Sequence, residues 1–435
     1  MTTGPLTTRR TLLTASAAAP FAATTLAAAG RDTYLDSLSA DLDRYVGYGN
    51  KAAGGPGDNA VGEWMAAELT AHGYKIERQT ISVPWFTPGR ADLVCGEAKA
   101  NVRPQTIVVP TGPEGVTGPL VWVDRFGQAE GDLAGAIALI DLPYARWSTA
   151  VAAPVKGPVE AAFRKGAKAA IVITNGPTGK IIALNGDGRQ PMFPGPVALL
   201  APTDVRPFAA AAIARKVATL TMTGAGGRRP AFNFIARLDR GKAQWVAVST
   251  PRSGWDVCAG ERGGGIAVWL GLARWASAAL PHYNLAFVCN TGHEYENLGS
   301  DESLKAMAPN PAITRFWLHL GANVAARDWH DWPGAPLPLP GVDPQRYLVV
   351  TPQLLDLARA CFAGLPGLEQ AYPSDKMTAG ELTGVLAQGY RAVAGVFGVH
   401  RYHHVEDDDA RCLVPDKLAD TATAFRNLLV RAVAQ

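Results

Sequence analysis

The sequence predicts an α/β fold: a three-layer sandwich with a mixed, mostly parallel central sheet, into which a β-rich domain is inserted. From residue 232 to the C-terminus, strand-like apolar runs alternate with helical periods, a pattern that places a sheet between two layers of helices. Between residues 91 and 229, short β-like runs are separated by Pro and Gly turns instead. The chain has 435 residues, of which 48% are apolar, and this length favours two domains with sizeable cores.

The first 29 residues are predicted to be an export signal. Arg9 and Arg10 precede an apolar run of small residues, which ends in "AAAG" at positions 27–30. This arrangement resembles a twin-arginine signal with its cleavage site, although a short core helix is the alternative. The resemblance implies a periplasmic or secreted protein. No later run reaches the roughly 20 apolar residues that a membrane span needs, so a soluble mature chain is expected.

Residues 30–90 are predicted to begin the main domain with a helix and a strand. In "GDNAVGEWMAAELTAHG", the residues Val61, Trp64, Met65 and Leu69 lie on one helical face. The helix is expected to end near Gly73, and the following "YKIERQTISV" is expected to form a strand.

Residues 91–229 are predicted to form a separate small domain inserted into the main one. Its β-like runs are "PLVWVD", "AIALIDL", "AAIVITN", "VALLAP" and "VATLTMTG", and its one clear helix is "VKGPVEAAFRKGAKAA". The order of strand, helix ending at Gly-Ala, strand and Pro-led apolar segment resembles the protease-associated domain. An unrelated β-rich insertion is the alternative, and it would leave the main domain unchanged.

Residues 230–435 are predicted to complete the main domain. Its strands are "FNFIARLD", "WVAVST", "NLAFVCNTG", "ITRFWLHLGANV" and "RAVAGVFGV"; its helices are "GIAVWLGLARWASAAL", "LGSDESLKAMA", "TPQLLDLARACFAGL" and a final one from "DDARC" onward. In such folds ligands gather at the carboxyl ends of strands. The site is therefore expected near residues 250, 292, 322 and 404. The first of these ends opens onto a Gly-rich break, "STPRSGWDVCAGERGGG".

These four strand ends resemble, in order and spacing, those of the zinc aminopeptidase and glutaminyl cyclase superfamily. The segment "GGGIAVWLGLARWA" looks like the helix after the family's metal loop, and "HEYENLGSDESL" looks like the start of its Glu-Glu helix. The segment "SDKMTAGELTGVLAQGYRAVAGVF" followed by "YHHVEDD" looks like its closing part. The resemblance covers almost the whole mature chain and implies an aminopeptidase-like catalytic domain.

Carried over to this chain, the family's metal ligands are half replaced. The family has His-x-Asp at the first strand end, a bridging Asp in the loop, Glu-Glu at the second end, an Asp at the third, and a His before Thr at the fourth. Here the first position reads Thr250-Pro251-Arg252, and the third-strand Asp falls on Gly321. The remaining positions carry Glu261 for the bridging Asp, His293-Glu294 for Glu-Glu, and His403-His404 for His-Thr.

The resemblance therefore implies no zinc or one zinc, and a two-zinc centre is not expected. Glu261, Glu294 and His403 would be the three ligands, and three protein ligands with a water are typical of a catalytic zinc site. The alternative is a metal-free site, in which Arg252 or Arg262 pairs with a carboxylate and replaces the cation.

The candidate catalytic residues are His293, Glu294, His403 and Arg252. A His beside a carboxylate can move protons or activate a nucleophile, and an Arg can hold an oxyanion or a substrate carboxylate. Candidate substrate-binding residues are Trp255, Tyr295, His404, Cys258 and Ser253. Simple packing for the aromatic residues, a supporting role for His404 and a turn role for Ser253 are the alternatives.

The remaining histidines and Cys289 are expected to be structural. The histidines without a counterpart in the family pattern are His72, His282, His319 and His330. The five cysteines form no CxxC, and Cys289, within "NLAFVCN", is expected to be buried and inert.

The sequence predicts an exported hydrolase that acts on an amide, peptide or related small substrate, with His293 and Glu294 as its acid–base centre. A formal net charge of +3 without a basic block excludes a nucleic-acid surface. A metal-independent lyase, cyclase or transferase on the same fold, and a non-catalytic binding protein, are the alternatives. The sequence identifies neither the substrate nor the oligomeric state.

Overall fold

A computed structural model describes residues 34–331 and 336–435. The predicted export signal at residues 1–29 lies outside this part of the chain. Helices α1 to α9 comprise residues 34–47, Pro56–Ala71, Ala153–Arg164, Val205–Ile213, Gly264–Ala279, Leu298–Ala306, Leu355–Cys361, Glu381–Ala387 and Pro415–Val433. Strands β1 to β16 comprise Lys75–Cys95, Ala98–Asn101, Arg103–Pro104, Val116–Val123, Ile137–Asp141, Ala169–Ile173, Val197–Leu200, Val217–Leu238, Trp245–Pro251, Asn284–Asn290, Thr314–Leu320, Arg327–His330, Leu337–Val342, Arg346–Val350, Tyr372–Pro373 and Val393–Gly398.

The large sheet runs in the order β15-β14-β16-β11-β9-β10-β8-β4-β5-β6-β7-β3, and β1 and β2 join it through β8. Its centre is parallel: β9 pairs in parallel with β10 and β11, and β11 with β16. Antiparallel pairs flank this centre, β14 with β16 and β8 with β10. The predicted mixed, mostly parallel central sheet is confirmed.

Side chains of the central strands alternate between two cores. In β10, Leu285, Phe287 and Cys289 face the core that contains residues of α1, α2, α5, α7 and α9. Ala286 and Val288 face the other core, which α6 and α8 cover. Because successive side chains of a strand point to opposite faces, this alternation places a layer of helices on each side of the sheet.

Two long antiparallel strands connect the main domain with the inserted segment. β1 has 21 residues and β8 has 22, and they pair along almost their whole length. The runs "VATLTMTG" and "FNFIARLD", which the sequence predicts as separate strands, both belong to β8. The glycines between them stay in the strand because they pair with residues 85–88 of β1. The missing side chain also leaves room for a ring, since a Cβ on Gly226 would lie 2.7 Å from the Phe86 ring.

The expected domain limits at residues 90/91 and 229/230 fall within β1 and β8. Between them, β2 to β7 and helices α3 and α4 enclose two further hydrophobic clusters. The final helix begins at Pro415 and not near Asp408, since the residues before it form turns of the candidate site. None of the described helices is both long and apolar enough to cross a membrane.

Candidate active site

The candidate site lies beyond the carboxyl ends of β9, β10, β11 and β16. The ends of β9 and β11 are joined there, because the Thr250 hydroxyl donates to the Leu320 carbonyl at 2.8 Å. Gly321, at the third strand end, has no space for a side chain, since a Cβ there would lie 2.6 Å from the Val396 carbonyl oxygen. Neither Thr250 nor Gly321 supplies a metal ligand.

The loop after β9 is held by the segment after β16. Its helical turn Ala259–Gly263 follows Cys258, whose φ is +43°. The backbone N–H groups of Gly260 and Glu261 donate to the two carboxylate oxygens of Asp408, at 2.7 and 3.0 Å. This clamp places Glu261 beside the histidines that follow β16.

Glu261, His403 and His404 form a buried cluster. One ligand atom from each lies within 4.8 Å of the others. His404 Nε2 lies 3.2 Å from Glu261 Oε1, and His404 Nδ1 lies 2.9 Å from the Ala183 carbonyl. Because a carbonyl only accepts, Nδ1 carries a hydrogen and Nε2 faces the carboxylate. The His403 ring stacks on His404 with centroids 3.9 Å apart, and burial, followed by the neighbouring His404, lowers the pKa of His403 well below its usual value.

A guanidinium also contacts this cluster. Arg262 Nη2 lies 2.7 Å from Glu261 Oε1, and Arg262 Nε donates to the Ser253 carbonyl at 3.1 Å. Burial alone would raise the pKa of Glu261, but Arg262 and then His404 hold it well below its usual range. The pair that the metal-free alternative requires is thus present, with Arg262 as the cation.

The same cluster fits one zinc ion by its donor types. Glu261 Oε2 and His403 Nδ1 are buried without a hydrogen-bond partner. Together with His404 Nε2 they offer one carboxylate and two imidazoles, which are common zinc ligands. The ligand set expected from the sequence is changed in one member, since His404 stands here in place of Glu294. A bound ion would have Arg262 as a neighbouring cation.

Glu294 lies elsewhere in the site with both carboxylate oxygens engaged. Ser253 Oγ donates to Glu294 Oε2 at 2.6 Å, and the Ala53 backbone N–H donates to Oε1 at 3.0 Å. The same Ser253 oxygen accepts the Gly292 N–H at 2.8 Å. Burial raises the pKa of Glu294 to about 7, although these hydrogen bonds oppose the shift.

His293 forms a pair with Glu381, the first residue of α8. His293 Nδ1 lies 3.6 Å from Glu381 Oε1, which is too long for a direct hydrogen bond. Asn290 fixes the carboxylate by donating to Oε2 at 3.1 Å. Nδ1 is buried, yet 14% of the His293 side chain is exposed, so the exposed part lies elsewhere on the ring.

Burial, and then the charge of Arg262, favours the neutral form of His293. Burial and then Arg262 lower the pKa of His293, while Glu381 opposes them. Burial alone would raise the pKa of Glu381, but His293 and His319 hold it below its usual value. The result is a neutral imidazole beside an ionised carboxylate.

Sequence reasoning missed Glu381 and expected His319 to be structural. Glu381 lies in "AGEL", within a segment that matched only as scaffold, so no motif marked it. His319 Nδ1 lies 2.9 Å from the Ser249 hydroxyl oxygen, within hydrogen-bond distance, and His319 Nε2 lies 3.3 Å from where a Cβ on Gly321 would be. The imidazole therefore fills space beside the glycine, and burial lowers its pKa to about 4.

Arg252 and Cys258 are enclosed within the protein. The Arg252 side chain has 0% exposure; its Nε lies 2.9 Å from Asp58 Oδ1, and its Nη2 donates to the Phe232 carbonyl at 2.7 Å. These contacts leave no exposed donor for the oxyanion that was expected at Arg252. Cys258 Sγ lies 3.1 Å from the Tyr45 hydroxyl, and burial raises the pKa of Cys258 well above its usual value, which makes it a neutral core thiol.

A cavity of about 940 Å³ lies between the main domain and the inserted segment. Two of the five candidate substrate-binding residues, Trp255 and Tyr295, line it, with ring centroids 6.4 Å apart. Ser253, Cys258 and His404 are not part of its lining, and neither is His293.

The inserted segment contributes contacts to the candidate site. Besides the Ala183 carbonyl on His404, Ser148 Oγ lies 3.3 Å from His403 Nε2. Asn185 accepts from the Trp255 indole N–H at 2.8 Å. The Gly186 N–H donates to the Glu294 carbonyl at 3.1 Å. The contacts of Ala183 and Ser148 cover the buried cluster, and the other two join the inserted segment to the loops beside it.

Comparison with known proteins establishes the fold. No family model and no curated protein matches the sequence. Among solved structures, the aminopeptidase from Aneurinibacillus sp. strain AM-1 is similar over 92% of this chain and 93% of its own, with 20% identity and a TM-score of 0.68. The zinc aminopeptidase BSAP from Bacillus subtilis is similar over 93% and 94%, with 16% identity and a TM-score of 0.69.

A third similar structure is a peptidase M28 precursor from Shewanella amazonensis SB2B, with 17% identity, coverage of 93% and 97%, and a TM-score of 0.68. These likenesses confirm the aminopeptidase-like fold that the strand ends predicted. At this level of identity the chemistry has to be argued from the residues of the site.

Proposed function

We propose that the protein is an exported hydrolase that cleaves an amide or peptide bond, with His293 as the group that transfers the proton. The observation that carries this proposal is the His293–Glu381 pair: a neutral imidazole, partly exposed, with its buried nitrogen 3.6 Å from an ionised carboxylate. The aminopeptidase-like fold supports an enzyme of the peptidase type. Glu381 is thereby added to the acid–base centre that the sequence predicts, and its role is to position His293.

The pair can act as a general base and then as a general acid. With the hydrogen of His293 on Nδ1, toward Glu381, the Nε2 lone pair is free to take a proton from a water molecule that attacks the substrate carbonyl. The same nitrogen then returns that proton to the leaving amine as the C–N bond breaks. No proton is gained or lost by the enzyme over this cycle.

Arg262 and Glu294 complete the proposed centre. Arg262 Nη1 has no hydrogen-bond partner but is buried, so Arg262 acts on the centre through its charge, which lowers the pKa of His293. Glu294 acts through Ser253, whose Oγ also lies 3.4 Å from the His293 backbone nitrogen. Its role is therefore to fix the turn that carries His293.

One zinc ion is compatible with the proposal. Glu261, His403 and His404 would hold it, and zinc in such a site polarises the substrate carbonyl. Elemental analysis of protein purified without chelator should find at most one equivalent of tightly bound zinc per chain. The Glu261→Gln variant should lose it and Glu294→Gln should keep it. Two equivalents would contradict this assignment.

The proposed function is tested with a panel of aminoacyl, pyroglutamyl, peptide, ester and glycosidic substrates. The His293→Ala variant should lose turnover of any cleaved amide by about 100-fold or more, the scale of a lost general acid–base group. His282→Ala, an exposed histidine, is the matched control and should retain wild-type turnover. Equal turnover of wild type and His293→Ala would refute the assignment of His293.

A non-catalytic binding protein is the second candidate. It is favoured by the Arg262–Glu261 contact of 2.7 Å, since this contact neutralises the carboxylate that would otherwise need a metal. Binding of a panel compound without cleavage of any member, together with unchanged binding in His293→Ala, would support this second candidate over the hydrolase.

A further inference from the structure

We propose that the cavity beside Tyr295 recognises a carboxylate through Arg229, so that the substrate is an acidic amide or peptide with an aromatic or apolar group. The identity of the cleaved bond rests on the proposed function, whereas the carboxylate site stands on the cavity alone. Nothing in the sequence pattern marked Arg229 as a site residue.

Arg229 is a cation without an acidic partner. Its Nε donates to the Ala53 carbonyl at 2.8 Å, and its Nη2 donates to the Ala52 carbonyl at 3.2 Å. Among the described residues, no carboxylate oxygen lies within ion-pair distance of it, and its Nη1 makes no hydrogen bond. Two carbonyls thus fix one edge of the guanidinium and leave Nη1 available to a ligand.

The other cations that line the cavity are already paired. Arg103 Nη1 lies 2.7 Å from Asp256, and Lys180 Nζ lies 3.2 Å from Glu406. Asp204, the remaining acid of the lining, is solvent-exposed and therefore well hydrated. Arg229, which is half-buried, is the lining cation whose charge is not balanced by a contact within the described part of the chain.

Aromatic side chains provide the apolar part of the cavity. Trp85 and Phe86 of β1 line it together with Trp255 and Tyr295. The two β1 side chains lie against glycine positions of β8, which leaves their rings half-exposed toward the cavity. A volume of about 940 Å³ is at the upper end for small-molecule sites and is large enough for a dipeptide.

A single residue connects this cavity with the proposed catalytic centre. The Ala53 carbonyl accepts from Arg229, and the Ala53 N–H donates to the Glu294 carboxylate. Tyr295, which lines the cavity, follows Glu294 directly in the chain. Arg229 is thus linked through Ala53 to Glu294, which in turn fixes the turn that carries His293.

The test is calorimetric titration with N-acetyl-phenylalanyl-phenylalanine and with the same dipeptide as its C-terminal amide. Wild type should bind the acid at least about 10-fold more tightly than the amide, because a hydrogen-bonded charge pair contributes more than a neutral contact. Arg229→Gln should lose about 10- to 100-fold in affinity for the acid and little for the amide.

Arg228→Gln is the matched control. Arg228 is the neighbouring residue of β8, and its guanidinium donates to Ser82 and to the Gly188 carbonyl. Within the described part of the chain it has no acidic partner, and it does not line the cavity. It should bind both probes like wild type. Equal affinity of wild type for acid and amide, no binding of the acid, or undiminished acid binding in Arg229→Gln would overturn the proposal.

Two further measurements distinguish a failure of the carboxylate site from a failure of the catalytic role of His293. If Arg229→Gln does not fold, Arg229→Lys, which keeps the charge, is compared with wild type, and the preference for the acid must persist in it. The titrations are repeated with His293→Ala, which removes turnover but not the cavity. Loss of activity in His293→Ala with no preference for the acid refutes the carboxylate site alone; a preference for the acid with no effect of His293→Ala on activity refutes the catalytic role alone.

Discussion

Replacement of Arg252 by Met should destabilise the protein by about 4 kcal/mol while leaving the His293–Glu381 pair and the Glu261, His403 and His404 cluster in place. Arg252 and Asp58 are both 0% exposed, with Nε 2.9 Å from Oδ1. At this distance and an effective dielectric constant of about 20, the attraction is about 5.7 kcal/mol. Asp58 retains its hydrogen bonds from Gly54 and Thr291, at 2.8 and 2.7 Å. The loss should therefore lie within the range of about 3–5 kcal/mol typical of breaking a buried pair.

A double-mutant cycle isolates the contribution of the pair. Asp58→Asn alone should cost a similar amount, because it leaves a buried guanidinium without its partner. The double variant Asp58→Asn with Arg252→Met should cost about 2–3 kcal/mol less than the sum of the two, since neither charge remains.

Thermal unfolding followed by circular dichroism provides the readout. An unfolding entropy of about 2.1 cal/mol/K per residue over roughly 400 residues gives about 0.8 kcal/mol per degree, so 4 kcal/mol corresponds to a Tm lower by about 5 °C. Additive effects of the two substitutions, or a Tm of Arg252→Met within about 1 °C of wild type, would refute the assignment of Arg252 as a structural cation. The experiment needs no substrate.

The fold could be predicted from the sequence because its signals are local. Apolar runs that lie between two helix layers, such as "NLAFVCN" of β10, are recognisable without knowledge of their neighbours. The long strand β8 could not be predicted in this way. Its three glycines at positions 224, 226 and 227 are typical of a turn, and only their pairing with residues 85–88 of β1, about 140 residues earlier in the chain, explains why they stay extended.

The site could be predicted only as far as its residues follow a motif. His293 and Glu294 stand at a strand end, where position alone indicates a role. Glu381 approaches His293 from a separate helix, so their contact depends on tertiary packing that no spacing in the sequence records. The position of His319 likewise depends on tertiary packing, because its ring occupies the space that a side chain at Gly321 would need.

The roles of Arg252 and Arg262 could likewise be assigned only from the structure. The sequence offered Arg252 and Arg262 equally as replacements for a metal cation. Arg252 lies at a strand end and turns toward Asp58, whereas Arg262 lies on the helical turn of Glu261 and meets its carboxylate. The direction of each side chain, and not its type, decides which of them belongs to the candidate site.

Two further predictions concern carboxylates of the candidate centre. Glu381→Gln should lower kcat/KM by at least about 10-fold and move the acidic limb of its pH profile to lower pH, because the Glu381 charge raises the pKa of His293; an unmoved limb would contradict the pairing. Glu294→Gln should change how stability depends on pH. Burial raises the pKa of Glu294 from 4.5 to about 7, so between these values the folded protein keeps a proton that the unfolded chain releases, and stability is lost as the pH rises through this window. Relative to Glu294→Gln, the wild type should therefore lose about 3 kcal/mol of unfolding free energy between pH 4.5 and 8, as measured by urea denaturation at each pH. Parallel pH profiles for the two proteins would show that Glu294 is not held in this buried, hydrogen-bonded state.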